Sequence, residues 1–207
     1  MSEVKTNKIS PRSGTAFTLG DSGDTFTVPS GTTLDIASGA TIDATGATAT
    51  GFGGNNTPAF QAYVGTNQTL GDNVFAKIAA NTEDFDTDNA YNNSTYEFVV
   101  PSGEGGKYFL YSRATFVSSG GSTAVLEDQM LQIRVNSETS TTARLMIQEK
   151  DIGGGYYKTF TLIGIATLAA ADIVYFYARS DVQAGYNSYL SPDMRESFVG
   201  GYKMIGL

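Results

Sequence analysis

The chain has 207 residues with 13 basic and 21 acidic side chains, so its formal charge is −8, and it contains neither cysteine nor histidine. This composition excludes disulfides, metal sites built on thiolate or imidazole, and the Ser-His-Asp and Cys-His classes of catalysis. The negative charge argues against nucleic acid or anionic lipid as a partner, and no apolar run reaches the ~18–20 residues of a membrane-spanning helix.

Residues 1–24 are polar, and Pro11 and Gly14 discourage a helix there. The segment lacks the apolar core of a signal peptide, which predicts a protein made in a cytoplasm without a visible export signal. We predict an arm that is disordered or is ordered by a partner.

Residues 25–50 form a short repeat, in which turn pairs at 30–31, 38–39 and 45–46 separate extended pieces of alternating polarity. Ordering one such unit costs more backbone entropy than two aliphatic side chains return on burial. The repeat therefore predicts a β stalk that is stable only when it pairs with identical repeats of other chains, with Leu34, Ile36 and Ile42 facing a shared axis. A flexible Gly/Ser/Thr linker is the alternative.

Residues 51–57 are rich in glycine and asparagine and predict a hinge, after which the composition becomes denser in aromatic residues. Residues 58–207 predict a head domain of short strands separated by Gly and Asn turns, with no sustained helical period. The predicted strands are 59–64, 73–76, 96–99, 106–117, 129–135, 143–149, 157–166, 172–179 and 197–205. The fold class is all-β, a sandwich or jelly roll on a repetitive β stalk.

The acidic segment 83–89 places Asp84, Asp86 and Asp88 two residues apart. Alternating carboxylates can surround calcium, although the glycine and the late glutamate of an EF-hand are missing. Calcium is the one cofactor candidate; the alternative, which we favour, is a solvated acidic loop.

Tyrosines cluster in two predicted loops, and exposed Tyr, Asn and Ser suit the recognition of glycans or protein surfaces. The candidate receptor-binding residues are Tyr156, Tyr157, Tyr186, Asn187 and Tyr189. The alternative is that some of these rings pack at subunit contacts or under loops.

No catalytic residues are predicted. The nearest carboxylate pairs, Glu127 with Asp128 and Glu149 with Asp151, would have to converge on a sugar to cleave it. Adjacent residues on a strand point to opposite faces, so the first pair would not converge. Gly153 to Gly155 form a turn without the Lys-Ser/Thr of a phosphate loop.

Several blocks of the head resemble a C1q/TNF-type jelly roll across residues 58–207. The blocks are residues 58–63, 73–78 with Asn81, 91–98, Pro101 with 106–111, 168–174, and a closing Phe-x-Gly strand at 197–204. An insertion at 102–104 and an acidic one at 82–89 depart from the pattern. The resemblance implies a homotrimer, and some heads of this type bind calcium.

The repeat resembles collar and stalk segments of bacteriophage tail fibres. Together the two resemblances imply a structural virion protein, a trimeric tail fibre whose tip binds a host surface glycan or protein. Residues 1–24 would then attach to other tail or baseplate proteins. The alternatives are a collar or decoration protein that never touches the host, a cellular C1q-like adhesin, and a glycan hydrolase.

Overall fold

The computed structural model describes residues 13–14, 19–41, 56–139, 147–152 and 155–205. The chain divides into two units, Met1–Thr50 and Gly51–Leu207.

The second unit is a sandwich of two antiparallel sheets. The first sheet contains β1 (Ala59–Tyr63), β2 (Gln68–Leu70), β4 (Thr82–Asp86), β7 (Gly106–Ser118), β10 (Tyr157–Leu168), β12 (Ser188–Leu190) and β13 (Phe198–Lys203). The second contains β3 (Ala76–Lys77), β5 (Tyr91–Asn92), β6 (Glu97–Val99), β8 (Leu126–Val135), β9 (Ile147–Ile152) and β11 (Ile173–Val182). Two short 3₁₀ turns lie at Gly121–Thr123 and Asp193–Arg195.

The long strand β7 organises the first sheet. Along its whole length one edge of β7 pairs with β10. Because a strand has only two edges, β12 and β13 share the other edge, β12 opposite residues 116–118 and β13 opposite residues 108–113. β1 and β4 follow outward from β13. The chain crosses between the sheets repeatedly, including every step from β2 to β5, from β6 to β8 and from β9 to β12, which ties the two layers together.

Aromatic rings from both sheets fill the centre of the core. Phe60 of β1 stacks on Tyr91 and Phe98 of the second sheet, with ring centroids 5.0 and 4.6 Å apart. Phe176 meets Phe60 edge-on at 6.1 Å. A fully buried ring of this size contributes about 1.5–3 kcal/mol, so the cluster is a principal source of adhesion between the sheets.

Two tyrosine hydroxyls lie in this interior and donate to backbone carbonyls: Tyr91 to Ala80 at 2.9 Å and Tyr108 to Glu104 at 2.6 Å. Burial disfavours the phenolate and raises the pKa of both hydroxyls above the ordinary value. The stability that they contribute is fully present below about pH 10, where tyrosine ionises in an unfolded chain, and is lost as the pH rises through the higher folded pKa.

We therefore expect the melting temperature, followed by circular dichroism, to fall steeply above about pH 10. In the Tyr91→Phe variant the fall should be shallower, because one buried ionisable group has been removed. Tyr156→Phe, at a half-exposed side chain, is the matched control and should leave the alkaline limb unchanged. Equal slopes in all three proteins would contradict the assignment to buried tyrosines.

The all-β expectation for the head is confirmed, and most long strands lie within a few residues of their predicted bounds. The predicted strand at 73–76 is wrong: β3 begins only at Ala76, because Asn73 adopts a left-handed φ of 55°. Four further strands, β2, β4, β5 and β12, have no counterpart in the prediction. Residues 140–146, at the start of the predicted strand 143–149, lie outside the described part of the chain.

Candidate recognition surfaces

Three tight turns divide the first unit at a spacing of eight residues. The amides of Asp24, Thr32 and Ala40 each donate to the carbonyl three residues earlier, at 3.0, 3.2 and 3.0 Å. The residue before each donor is a glycine in the left-handed region, with φ of 98°, 82° and 85°. Glycine adopts this conformation without steric cost, which explains why it recurs at this position. The first of these turns lies within the segment predicted to be the arm.

Apolar side chains between the turns are uncovered in the single chain. Phe26 is 64% exposed, Val28 38%, Leu34 60% and Ile36 43%. Phe26 and Val28 form one pair, and Leu34 and Ile36 form a second. The members of each pair are separated by one residue, so in an extended segment both point to the same side. No strand is assigned within residues 19–41, and Ile42 lies outside the described residues. The shared axis stays a prediction; what the structure provides is the uncovered apolar pairs.

Asp84, the first calcium candidate, lies on strand β4 rather than in a loop. Its Oδ1 accepts a hydrogen bond from the guanidinium of Arg195 at 2.5 Å, and its Oδ2 accepts one from the Gln61 amide at 2.8 Å. Both carboxylate oxygens are thus engaged by protein donors.

The other two aspartates also have partners of their own. Asp86 Oδ2 accepts the backbone amide of Tyr91 at 2.8 Å, and Asp88 Oδ2 accepts the Thr87 hydroxyl at 2.9 Å. Across the described ranges no group of three or more acidic side chains is arranged to hold a metal ion. The structure does not bring the three calcium candidates together.

Two of the five receptor-binding candidates share one face of the first sheet. Tyr157 begins β10 and Tyr189 is central in β12, and both pair with Val117 of β7 from opposite edges. Directly paired residues point to the same side, so the two rings flank Val117 on the outer face. Tyr157 begins the strand predicted at 157–166, next to its glycine turn. Tyr189 was expected in a loop and lies instead in β12, a short strand that the sequence analysis did not predict.

The remaining candidates lie in the neighbouring connections. Tyr156 is about half exposed, whereas Tyr186 is partly buried against the core and its ring fills the space that a side chain at Gly120 would need. Asn187 is exposed and exchanges hydrogen bonds with Ser119. Tyr186 is thus placed for packing rather than for contact with a ligand.

The hydroxyl of Tyr157 donates to Glu196 Oε2 at 2.5 Å. This hydrogen bond to a carboxylate, which favours the protonated phenol, raises the pKa of Tyr157. The bond links β10 to the connection between β12 and β13.

The outer face of the first sheet is a broad aromatic surface that sequence reasoning missed. We call it the aromatic face; register places three successive layers of side chains on it. They are Ile165, Phe109, Tyr202 and Ala59; then Ile163, Tyr111, Gly200, Gln61 and Phe85; then Thr161, Arg113, Phe198, Tyr63 and Thr82. Only one residue in these layers, Arg113, is charged.

Contacts between rings connect the strands of the aromatic face, and the side chains at its β10 edge are exposed. Phe109 lies 5.3 Å from Tyr202 and 6.0 Å from Tyr111. Ile163 and Ile165 are 56% and 57% exposed. A weakly charged apolar surface of this breadth is typical of an interface. The signal was present in β7, where Phe109 and Tyr111 alternate with core residues, so the strand is apolar on both sides.

A glycine makes room for the polar connection across this face. The Tyr111 ring lies over Gly200 and its hydroxyl donates to Gln61 Oε1 at 2.9 Å. A Cβ at Gly200 would stand 2.4 Å from the Tyr111 hydroxyl oxygen. Gln61 in turn donates to Asp84, so a hydrogen-bonded chain runs from β7 to β4.

Glu127 and Asp128, the nearest candidates for paired catalytic acids, lie where the register of β8 against β11 shifts by one residue. Asp128 accepts a hydrogen bond from Arg179 at 2.6 Å, while Glu127 is exposed. The side chains of Glu149 and Asp151 lie outside the described residues. Within the described part of the chain, no helix is long and apolar enough to cross a membrane.

Comparisons with known proteins give matches of structure only. No family model matches the chain, and no curated protein matches it. Among solved structures it is similar to the globular domain of zebrafish complement 1qA protein, with 16% identity, a TM-score of 0.47, and coverage of 71% of this chain and 96% of that one. It is also similar to murine APRIL at pH 5.0, with 14% identity, a TM-score of 0.48, and coverage of 70% and 98%. These neighbours are globular domains of the C1q and TNF families.

Proposed function

We propose that this chain is the subunit of a homotrimeric fibre, in which the residues 25–50 form a stalk and the sandwich forms a tip that binds a surface receptor. The tip acts by recognition and not by catalysis. The setting that fits best is the tail of a bacteriophage, with residues 1–24 attached to other virion proteins and the tip turned towards the host.

The observation that carries the proposal is the eight-residue repeat with its uncovered apolar pairs. In the described part of this segment, residues 25–41, every residue is exposed, so Phe26, Leu34 and Ile36 are not packed into a core there. Identical repeats placed side by side supply the missing apolar contacts and the missing strand partners. Three copies is the number implied by the C1q/TNF-type resemblance of the head.

Two features of the head support the same arrangement. The aromatic face offers each copy a weakly charged surface on a chain whose formal charge is −8, so copies can approach there with little repulsion. Tyr156, half exposed, and Tyr157 beside it supply rings for contact with a receptor at low entropy cost.

The test combines mass and adsorption on one sample of the full chain. Light scattering should give roughly 66 kDa, three times the chain mass of 21.9 kDa. The purified trimer should then compete with phage for host cells, and the Tyr156→Ala/Tyr157→Ala variant should compete at least about tenfold less well. Val99→Ala, at an exposed side chain of the opposite sheet, is the control.

Each alternative has its own outcome. A monomer by light scattering overturns the proposal. A trimer that never competes with adsorption points instead to a collar or decoration protein of the virion. Shortened chains after incubation with host polysaccharide would show a hydrolase.

A further inference from the structure

The connection between β12 and β13 is a loop that leaves one edge of β7 and returns to the same edge. β12 ends at Leu190, the amide of Ser191 still donates to the Thr115 carbonyl at 2.9 Å, and the Thr115 amide donates to Ser197 Oγ at 3.1 Å. The two strands thus meet the same residue of β7. Residues 192–196 are pushed out between them, and we call them the 192–196 loop.

Two consecutive residues at the C-terminal end of this loop hold it against the outer side of the first sheet. Glu196 accepts the Tyr157 hydroxyl of β10 at 2.5 Å. Arg195 donates to Asp84 of β4 at 2.5 Å, and its guanidinium lies 4.6 Å from the centre of the Tyr63 ring. Tyr157 and Tyr63 both belong to the outer side of the sheet, so the loop stands on that side.

Immediately before these two residues the backbone presents one apolar side chain to solvent. Met194 is 94% exposed, and both Met194 and Arg195 are in the left-handed region, with φ of 47° and 58°. Side chains other than glycine adopt this conformation only at an energetic cost, and it persists where the surroundings fix it, often at functional sites. The geometry therefore fixes Met194 as a raised apolar knob.

The position of the knob determines what it meets. It rises from the face that also holds Phe109, Tyr111 and Tyr202, so a partner that covers this face cannot avoid Met194. Arg113 is the one charged residue of the three layers, and the two carboxylates that adjoin them are engaged, Asp84 by Arg195 and Glu196 by Tyr157, whereas the whole chain has an excess of acidic residues. A second copy of the chain therefore meets little electrostatic repulsion at this face.

We propose that Met194 is a contact between subunits: in the assembled head it inserts into the neighbouring copy and fixes the register of one aromatic face against the next subunit. This inference rests on the proposed homotrimer. Methionine suits the task because its flexible, polarisable side chain fills irregular apolar spaces and packs well against aromatic rings. In a ring of three, one patch meets a different patch on the neighbour, so each knob is buried once.

Methionine oxidation measures this directly on the native protein. Hydrogen peroxide transfers one oxygen to the thioether sulfur of methionine and is reduced to water, and the rate follows exposure. We expect Met194 in the assembled protein to oxidise about tenfold more slowly than in the urea-dissociated chain, as measured by peptide mass spectrometry. Met130, which is 7% exposed, reports whether the fold itself has opened.

A pair of variants adds a second measurement. Met194→Asp should raise the concentration at which the trimer dissociates by about tenfold or more. Val74→Asp, which alters another exposed apolar side chain outside the aromatic face, should leave that concentration unchanged.

The possible outcomes distinguish a failure of the Met194 contact from a failure of the proposed homotrimer. A monomer by light scattering overturns the homotrimer and this inference together. A trimer in which Met194 oxidises as fast as in the dissociated chain, or in which both aspartate variants dissociate alike, leaves the homotrimer standing and overturns the role of Met194.

Discussion

Replacing Gly200 with valine is expected to lower the free energy of unfolding of the head by about 1–3 kcal/mol, and removing the Tyr111 ring is expected to restore most of it. A Cβ at Gly200 would stand 2.4 Å from the Tyr111 Cζ and hydroxyl oxygen. The ring must then leave β13, and its hydrogen bond to Gln61 is lost. Valine itself suits a strand, so the penalty comes from the ring and not from the backbone.

A double-mutant cycle in urea makes this measurable. Gly200→Val should cost little in a Tyr111→Ala background, because the obstructing atoms are absent. Gly201→Ala is the matched comparison: its Cβ would meet Leu110 at 2.8 Å and the backbone oxygen of Phe109 at 3.0 Å on the core side. Tyr111→Ala offers no relief there. If both glycine variants are rescued equally, or neither is, the ring over Gly200 is not the reason for the glycine.

This pair of glycines shows which features of the last strand could be predicted from the sequence and which could not. The closing Phe-x-Gly pattern was enough to suggest the last strand, but not which strand it lies beside. Why a glycine stands there depends on Tyr111, which is 89 residues earlier in the chain. No local pattern reports such a contact, because register between distant strands is set by the whole sheet.

The errors in strand assignment have a common physical origin. β4 has one large apolar residue, Phe85, among acidic ones, so its composition predicts a solvated loop. An edge strand tolerates these charges because one side of it faces water, and charges there discourage unwanted pairing. The calcium candidates were inferred from the same spacing, but pairing with β1 directs Asp84 to Gln61 and Arg195 instead.

The aromatic face was missed for the opposite reason. β7 is apolar on both sides, so it lacks the alternation that identifies a half-buried strand. Tyr108 and Leu110 point into the core, while Phe109 and Tyr111 point outward. A strand of this kind predicts that both of its faces are covered. In the single chain only one face is, which gives a second structural reason, besides the uncovered repeat, to expect an assembly.

We therefore expect the Ile163→Glu/Ile165→Glu variant to associate more weakly than the unaltered chain. Both isoleucines lie on the open β10 edge of the aromatic face and are more than half exposed in the single chain. If a neighbouring copy buries them, each contributes about 1.5–3 kcal/mol of burial to the contact. Their loss should weaken association by roughly 100-fold or more, and the added carboxylates would face an apolar surface.

Sedimentation or light scattering across a dilution series would measure the effect, with circular dichroism to confirm that the monomer keeps its fold. Val99→Glu/Val125→Glu is the matched control, because these valines are also exposed but lie outside the aromatic face. A variant that remains as tightly associated as the control would show that the β10 edge is not covered by another copy. Dissociation of the isoleucine variant alone would locate the contact on the aromatic face and leave the stalk, whose apolar pairs are untouched, as the weaker of two attachments.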